Sequence, residues 1–389
     1  MGCFRLKLLV FNILLSSLFI GCKDSSNNID TRNSDRTNNV NDNDFSFYLG
    51  ADLSYINELE DFNAEYKFNG EIVDPFKHFS QSGCNITRVR LWNNPPTGYS
   101  DFNDVKKTIE RAKNEKMHIL LDFHYSDFWA DPHKQTIPVA WKDISNVEIL
   151  ADSVYQYTYN TLSKLIDNNL APELVQIGNE TNIEILQKED DTNTSEINWT
   201  RNSALFNAGI KAVNNINTAY NLNIKKVLHI AQPENAFDWF EKAFENNLTD
   251  FDIIGLSYYA KWSSYSLNEI PDAISSLQNE FKKSVLIVET AYPHSLQNVD
   301  AADNILGNDA LIDGFNATPN GQLNYLIQLT KNVKKADGLG VIYWEPAWIT
   351  SDAKTAWGIG SHWDNATFFD AYNNNEALPA FNFFNKENY

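Results

Sequence analysis

Eight short apolar runs rich in branched and aromatic residues follow one another after Phe45, each separated from the next by a stretch long enough to hold a helix. They occupy residues 47–53, 86–92, 118–124, 174–177, 226–231, 253–258, 285–288 and 340–344. Strand, helix, strand in strict alternation builds a parallel sheet covered by helices. The intervening stretches carry helical periodicity: Val105, Ile109 and Ala112 within 101–116, and Leu150, Val154, Tyr157, Leu162 and Leu165 within 147–168. Further helices are expected at 200–219, 236–246, 270–281 and 320–335. A doubly wound open sheet would carry a Gly-rich phosphate turn after its first strand, and Asp52-Leu53-Ser54-Tyr55 is nothing of that kind. The α/β pattern therefore predicts a (β/α)8 TIM barrel, a single catalytic domain over 45–389.

The beginning of the chain reads differently. Arg5 and Lys7 precede an apolar run over 8–20 that stops at Gly21 and Cys22, a secretory signal pattern. Leu18-Phe19-Ile20-Gly21-Cys22 resembles a bacterial lipoprotein box, so 1–21 is expected to be a signal peptide and Cys22 a lipidated anchor. The polar run over 23–44 cannot bury enough apolar surface to offset its ordering entropy, so 22–44 is expected to be a flexible tether. These readings predict an exported protein, lipid-anchored to the outer membrane and otherwise free of membrane contact. With Cys3 removed and Cys22 lipidated, Cys84 would be the only thiol left. A formal net charge of -20 with no basic stripe argues against a nucleic-acid partner and suits a neutral ligand.

In a TIM barrel the chemistry lies where the strands end. The runs here stop on Asp52, Arg90 with Trp92, Asp122 with His124, Asn179 with Glu180, His229, Tyr258 with Tyr259, Glu289, and Trp344 with Glu345. Glu180 and Glu289 end the fourth and seventh strands. Retaining cleavage of a glycosidic bond needs two such carboxyl groups, one to protonate the leaving oxygen and one to attack the anomeric carbon. A lone strand-end glutamate is usually only a solvated terminus; the pair, with Asn179 placed to hydrogen-bond a sugar 2-hydroxyl, is more informative. Glu180, kept protonated by desolvation and by the charge of Glu289, is the expected acid/base, and Glu289 the nucleophile. Arg90 and Tyr258 are the expected partners of the nucleophile, although a buried arginine can equally satisfy a structural network. Sugar faces stack on aromatic rings, which singles out Trp92 and Trp344, with Trp129 on a nearby loop. No cofactor or catalytic metal is expected; Asp352, His362, Asp364 and Asn365 offer ligand atoms without a recognisable spacing.

Several segments resemble glycoside hydrolase family 53, the endo-β-1,4-galactanases: Gly50-Ala51-Asp52-Leu53-Ser54, Arg88-Val89-Arg90-Leu91-Trp92-Asn93-Asn94-Pro95, and the long run from Asp122-Phe123-His124-Tyr125-Ser126-Asp127-Phe128-Trp129 through Gln135, Pro138 and Trp141. The similarity continues through Glu180, His229, Ser257-Tyr258-Tyr259, Glu289-Thr290-Ala291-Tyr292-Pro293 and Trp357-Gly358. The resemblance implies an endo-hydrolase of β-1,4-galactan in type I arabinogalactan, with Glu180 as acid/base and Glu289 as nucleophile; the strand-end residues Asp52, His124 and His229 are further substrate-site candidates, and a monomer is expected. Past the acid/base the chain departs from the family, reading Thr181-Asn182-Ile183-Glu184-Ile185-Leu186-Gln187-Lys188 where a glycine and a Leu-Trp-Pro type segment are usual. The resemblance therefore does not carry the leaving-group side of the cleft. Two other readings remain: a retaining endo-glycanase of the same architecture acting on β-glucan or β-mannan, and a surface glycan-binding lipoprotein without catalysis.

Overall fold

The computed structural model describes residues 47–188 and 196–389. The signal-peptide, anchor and tether readings of 1–44 lie outside the described residues.

Eight parallel strands close into a barrel: β1 (Tyr48–Asp52), β2 (Ile86–Leu91), β3 (His118–Phe123), β4 (Leu174–Ile177), β5 (Lys225–Ala231), β6 (Ile253–Ser257), β7 (Ser284–Glu289) and β8 (Gly340–Tyr343). Each pairs with its sequence neighbours, and β1 closes the ring against β8. Between them run α1 (Ile56–Asp61), α2 (Pro75–Gln81), α3 (Phe102–Asn114), α4 (Val147–Asp167), α5 (Trp199–Tyr220), α6 (Pro233–Glu245), α7 (Ile270–Phe281) and α8 (Pro319–Lys335). Their starts are set by local chemistry. Asp101, Asn146, Asn198 and Thr318 each accept a backbone N–H of the first turn of α3, α4, α5 and α8. Pro233 and Pro319 sit at the first helical position, where a missing N–H costs nothing.

Two features differ from the sequence expectation. The first connection holds two short helices, α1 and α2, with a small strand pair (Tyr66–Phe68 and Glu71–Val73) between them. After β8 there is no α-helix among the described residues; the 3-10 segment Pro379–Phe384 packs on α8 instead. Its three phenylalanines, Phe381, Phe383 and Phe384, are all buried within these six residues, which covers the gap without a full helix.

The barrel interior is layered. Ile86, Leu120, Leu174, Val227, Ile253, Leu286, Val288 and Ile342 fill its lower part as a closed apolar plug. Gly50 lets β1 approach this plug, because a Cβ there would stand 2.5 Å from Ile86 Cγ2 and 2.9 Å from Ile342 Cγ1. One step further along the strands the inward positions become charged or polar: Asp52, Arg88, Asp122, Gln176, His229 and Ser257, all buried. This switch within single strands defines the carboxyl end of the barrel as the functional face. The larger core lies outside the barrel, where strand residues such as Val89, Leu121, Ile177 and Ile230 meet the helices.

Candidate active site

Arg88 organises the site floor. Its guanidinium donates to Asp52 Oδ2 at 2.7 Å, Asp122 Oδ2 at 2.8 Å and Asn179 Oδ1 at 2.7 Å, and pairs with Glu289 Oε1 at 2.9 Å. Burial pulls its pKa down, but Asp122, Glu289 and Asp52 outweigh that, so the group is held charged. Glu289, at the end of β7, also accepts from the Tyr259 phenol at 2.9 Å on its Oε2. Both of its oxygens are therefore engaged by donors.

Glu180 lies just beyond β4, on a backbone turned left-handed (φ 44°), a strained geometry for a residue with a side chain. Gly178, two residues earlier with φ 86°, supplies the reversal that lifts Glu180 out of the strand direction. Its Oε1 accepts from Ser257 Oγ at 2.6 Å. Ser257 Oγ is in turn 2.8 Å from His229 Nε2. The Glu180 backbone N–H and the Gln176 side-chain N–H both point at His229 Nδ1 (3.2 and 3.1 Å), so Nδ1 accepts and the ring proton sits on Nε2. The chain of donors then runs from His229 to Ser257 to Glu180. Burial first, and then the Arg88 charge, holds the His229 pKa well below its usual value, so the ring stays neutral.

Oxygens of Glu180 and Glu289 and a ring nitrogen of His229 lie within 4.8 Å of one another. Burial raises the pKa of both carboxyl groups. For Glu180 the repulsion of Glu289 adds to burial, and only the Ser257 hydrogen bond and the more distant Arg88 oppose it. For Glu289 the contacts with Arg88 and Tyr259 oppose burial directly. Two neighbouring carboxyl groups cannot both ionise cheaply, and these contacts place the charge on Glu289 and the proton on Glu180. A cation held by these three residues through His229 Nε2 would displace the His229–Ser257 hydrogen bond and sit beside the Arg88 guanidinium, so the arrangement suits proton chemistry.

A cavity of about 990 Å³ opens above the pair. One wall is aromatic: Trp129, Trp344, Trp357 and Trp363 stand in a cluster, with ring centroids 5.9 Å apart for Trp129–Trp344 and 4.7 Å for Trp344–Trp363. The opposite wall carries Asn182, Ile183, Gln232, Asn235 and Trp262. With indoles on one wall, amides on the other and charges of both signs (Arg88 and Lys134, Asp131 and the two glutamates), the cleft has no single-signed lining and fits a polyhydroxylated ligand that stacks on aromatic rings.

Of the residues singled out from sequence, Glu180, Glu289, Asn179, His124, Trp129 and Trp344 line this cavity. His124 donates from Nε2 to Asp122 at 2.9 Å while Nδ1 accepts the Ala130 N–H, which orients the ring. Five others lie behind the surface. Arg90 does not hold the nucleophile: one layer above Arg88, it pairs with Glu345 and lies under Tyr55 (4.1 Å) and Trp129 (4.5 Å), supporting the aromatic wall. Tyr258 points out of the barrel and donates to Tyr265 O; the nucleophile's partner is Tyr259, which returns to the inward face set by Ser257. Asp52 reaches only Arg88 and Ser54, and His229 lies beneath Glu180, so both orient rather than touch a ligand. Trp92 is buried against Phe128 and donates to His124 Nδ1 at 3.3 Å. Asp364 of the late loops is hydrogen-bonded by Val299 N, Asn304 and Thr350, His362 binds Asp303 O, and Asn365 binds two carbonyls.

A closed parallel barrel with paired carboxyl groups at the floor of an aromatic cleft is the architecture of a barrel glycosidase. Residues 48–384 match the sequence model of glycosyl hydrolase family 53, and the chain belongs to that family. It is 56% identical over 339 residues to an arabinogalactan endo-beta-1,4-galactanase of Cellvibrio japonicus, covering 87% of this chain and 90% of the relative. An endo-beta-1,4-galactanase of Bacillus subtilis is 35% identical, covering 79% of this chain and 72% of its own. The solved catalytic domain of an Ignisphaera aggregans member superimposes with a TM-score of 0.79 at 30% identity, over 87% of this chain and 96% of that one.

Proposed function

We propose that this glycoside hydrolase is a retaining endo-β-1,4-galactanase acting on type I arabinogalactan, with Glu289 as nucleophile and Glu180 as acid/base. The observation that carries the mechanism is the approach of the two carboxyl groups to within 4.8 Å. Retaining enzymes space them by roughly 5 Å, whereas inverting ones leave room for a water between them. The substrate follows from membership of the family and from the two named galactanases above.

In the first step a Glu289 oxygen attacks the anomeric carbon while the Glu180 proton passes to the glycosidic oxygen, and the carbon–oxygen bond breaks. A covalent galactosyl ester on Glu289 remains and the shortened chain leaves. In the second step Glu180, now a carboxylate, takes a proton from water, whose oxygen attacks the same carbon and expels Glu289. The configuration at that carbon is inverted twice and so retained. Asn179, anchored by Arg88 and Ala130 O, is placed to meet the sugar 2-hydroxyl.

Two hydroxyl groups tune the pair and can be tested separately. Tyr259 donates to the ionised Glu289, so Tyr259→Phe raises that pKa; activity requires ionised Glu289, and the acid limb of the pH–rate profile moves to higher pH. Losing a hydrogen bond to a charged group also costs about 10–100-fold in kcat. Ser257 likewise favours ionised Glu180, so Ser257→Ala raises the acid/base pKa and moves the alkaline limb to higher pH. Profiles in which both variants moved the same limb would contradict the role assignment. The substrate is tested by oligosaccharide release from linear β-1,4-galactan beside cellulose and mannan: products from galactan alone are expected, and products from a control polymer alone would move the specificity.

Export with lipid anchoring at Cys22 to the outer membrane completes the proposal, supported by the sequence Leu18-Phe19-Ile20-Gly21-Cys22. Mass spectrometry of the mature amino terminus should find a lipidated Cys22; an unmodified residue at another position would exclude the anchor.

A further inference from the structure

We infer that the cleft continues past Glu180 into a second sugar-binding groove on the leaving-group side, with Trp199 as the stacking platform for a galactosyl unit beyond the first; this rests on the galactanase reading above. A separate cavity of about 520 Å³ lies between the starts of α5 and α6, lined by Asn182, Asn235, Trp199, Trp239, Asp238 and Lys242 among others. Asn182 and Asn235 line both this cavity and the main cleft, so the two adjoin along these side chains.

The ring order gives the groove its side. Between β4 and β7 the rim runs one way through β5 and β6, and the other way through β8, β1, β2 and β3. Trp129 and Trp344 belong to the second arc; Asn182, on the loop after β4, and Trp199 and Asn235, in the first turns of α5 and α6, belong to the first. Glu180 hands its proton to the departing oxygen, and Asn182 follows it by two residues on the same loop. The sugar that carries that oxygen therefore enters the first arc.

This is the stretch in which the chain departs from the family, and the structure shows what replaces the usual segment. Asn182 is clamped to the β5 backbone, accepting from Ala231 N at 2.8 Å and donating to Ala231 O at 2.9 Å. Arg201 draws the loop onto α5 through Glu184 and the carbonyls of Ile185 and Leu186, each at 2.7 Å. Trp199, the first residue of α5, is half-buried and rests edge-to-face on Trp239 at 5.3 Å, which is itself packed on Phe206. An indole seated this way loses little freedom on meeting a sugar face. Asp238 and Lys242 on the rim and the Asn235 carboxamide supply hydroxyl partners.

The test compares kcat/KM on β-1,4-galactohexaose and on a nitrophenyl β-1,4-galactotrioside, whose small leaving group cannot reach Trp199, together with the bond cleaved in reducing-end-labelled hexaose. Trp199→Ala is expected to lower the hexaose-to-trioside ratio about tenfold and to move cleavage toward the reducing end, and Trp199→Phe to restore most of the ratio. An unchanged ratio and cleavage map in a Trp199→Ala protein, with wild type active on hexaose, would overturn the groove. Wild type that cleaved neither galactoside would instead overturn the galactanase reading on which the groove rests.

Discussion

Glu289→Ala is expected to lose about a thousandfold or more in kcat on galactan, and to recover part of its rate on an aryl galactoside when azide is added. The small anion fits the space left by the carboxylate and attacks the anomeric carbon once, with Glu180 still able to protonate the leaving group. The product is therefore the α-galactosyl azide, of inverted configuration. Glu180→Ala behaves differently: aryl galactosides with acidic phenols need no proton, so their first step is spared while galactan hydrolysis collapses. Azide then attacks the covalent ester and yields the β-azide. Identical azide products from the two variants would contradict the division of roles, which the structure motivates by the cation and phenol on Glu289 and the lack of a direct cation contact on Glu180.

Replacing Arg88 should cost nearly as much, and for a different reason. Its guanidinium meets Asp52, Asp122, Asn179 and Glu289 with almost no exposure to solvent. Arg88→Leu leaves three buried carboxyl groups uncompensated, and removing one partner of such a network destabilises by about 3–5 kcal/mol. Arg88→Lys keeps the charge but has no planar fork to span four acceptors, so the fold should survive while kcat falls about a hundredfold or more. The sign of the pH effect follows from the contact with Glu289. Loss of the fork raises the nucleophile's pKa, and the acid limb shifts to higher pH. Arg90→Lys disturbs the aromatic wall and should raise KM without moving that limb. A shifted acid limb in Arg90→Lys and an unshifted one in Arg88→Lys would return the role to Arg90.

The exchange of Arg88 for Arg90 shows where sequence reasoning stops. Both arginines alternate inward on β2, so period-2 patterning places both in the barrel but says nothing about depth along its axis. Register alone would mislead, since it pairs Arg88 with Asp52 but Arg90 with Asp122; only the reach of the side chains brings both carboxylates to the Arg88 guanidinium. Tyr259 was within reach of the same patterning, since Gly255 and Ser257 face inward and the next inward position is 259. The strands themselves were legible because a buried parallel strand is a continuous apolar run, and their ends shifted by no more than two residues. The two short helices after β1 were not, because six or seven residues are too few for a periodic signal. Ser257 carried no signal of its own; its contact with Glu180 exists only once β4 and β6 are brought around the ring. Trp199 and Trp239, forty residues apart and on different helices, became a platform in the same way.

The most direct test of the central claim is a proton NMR time course of linear β-1,4-galactan digested by the purified enzyme, read at the anomeric signals of the new reducing ends. Two carboxyl groups within 4.8 Å predict short galacto-oligosaccharides whose β-anomer appears first and then mutarotates toward the equilibrium mixture. An α-anomer appearing first would show single displacement by water and would contradict the assignment of Glu289 as nucleophile.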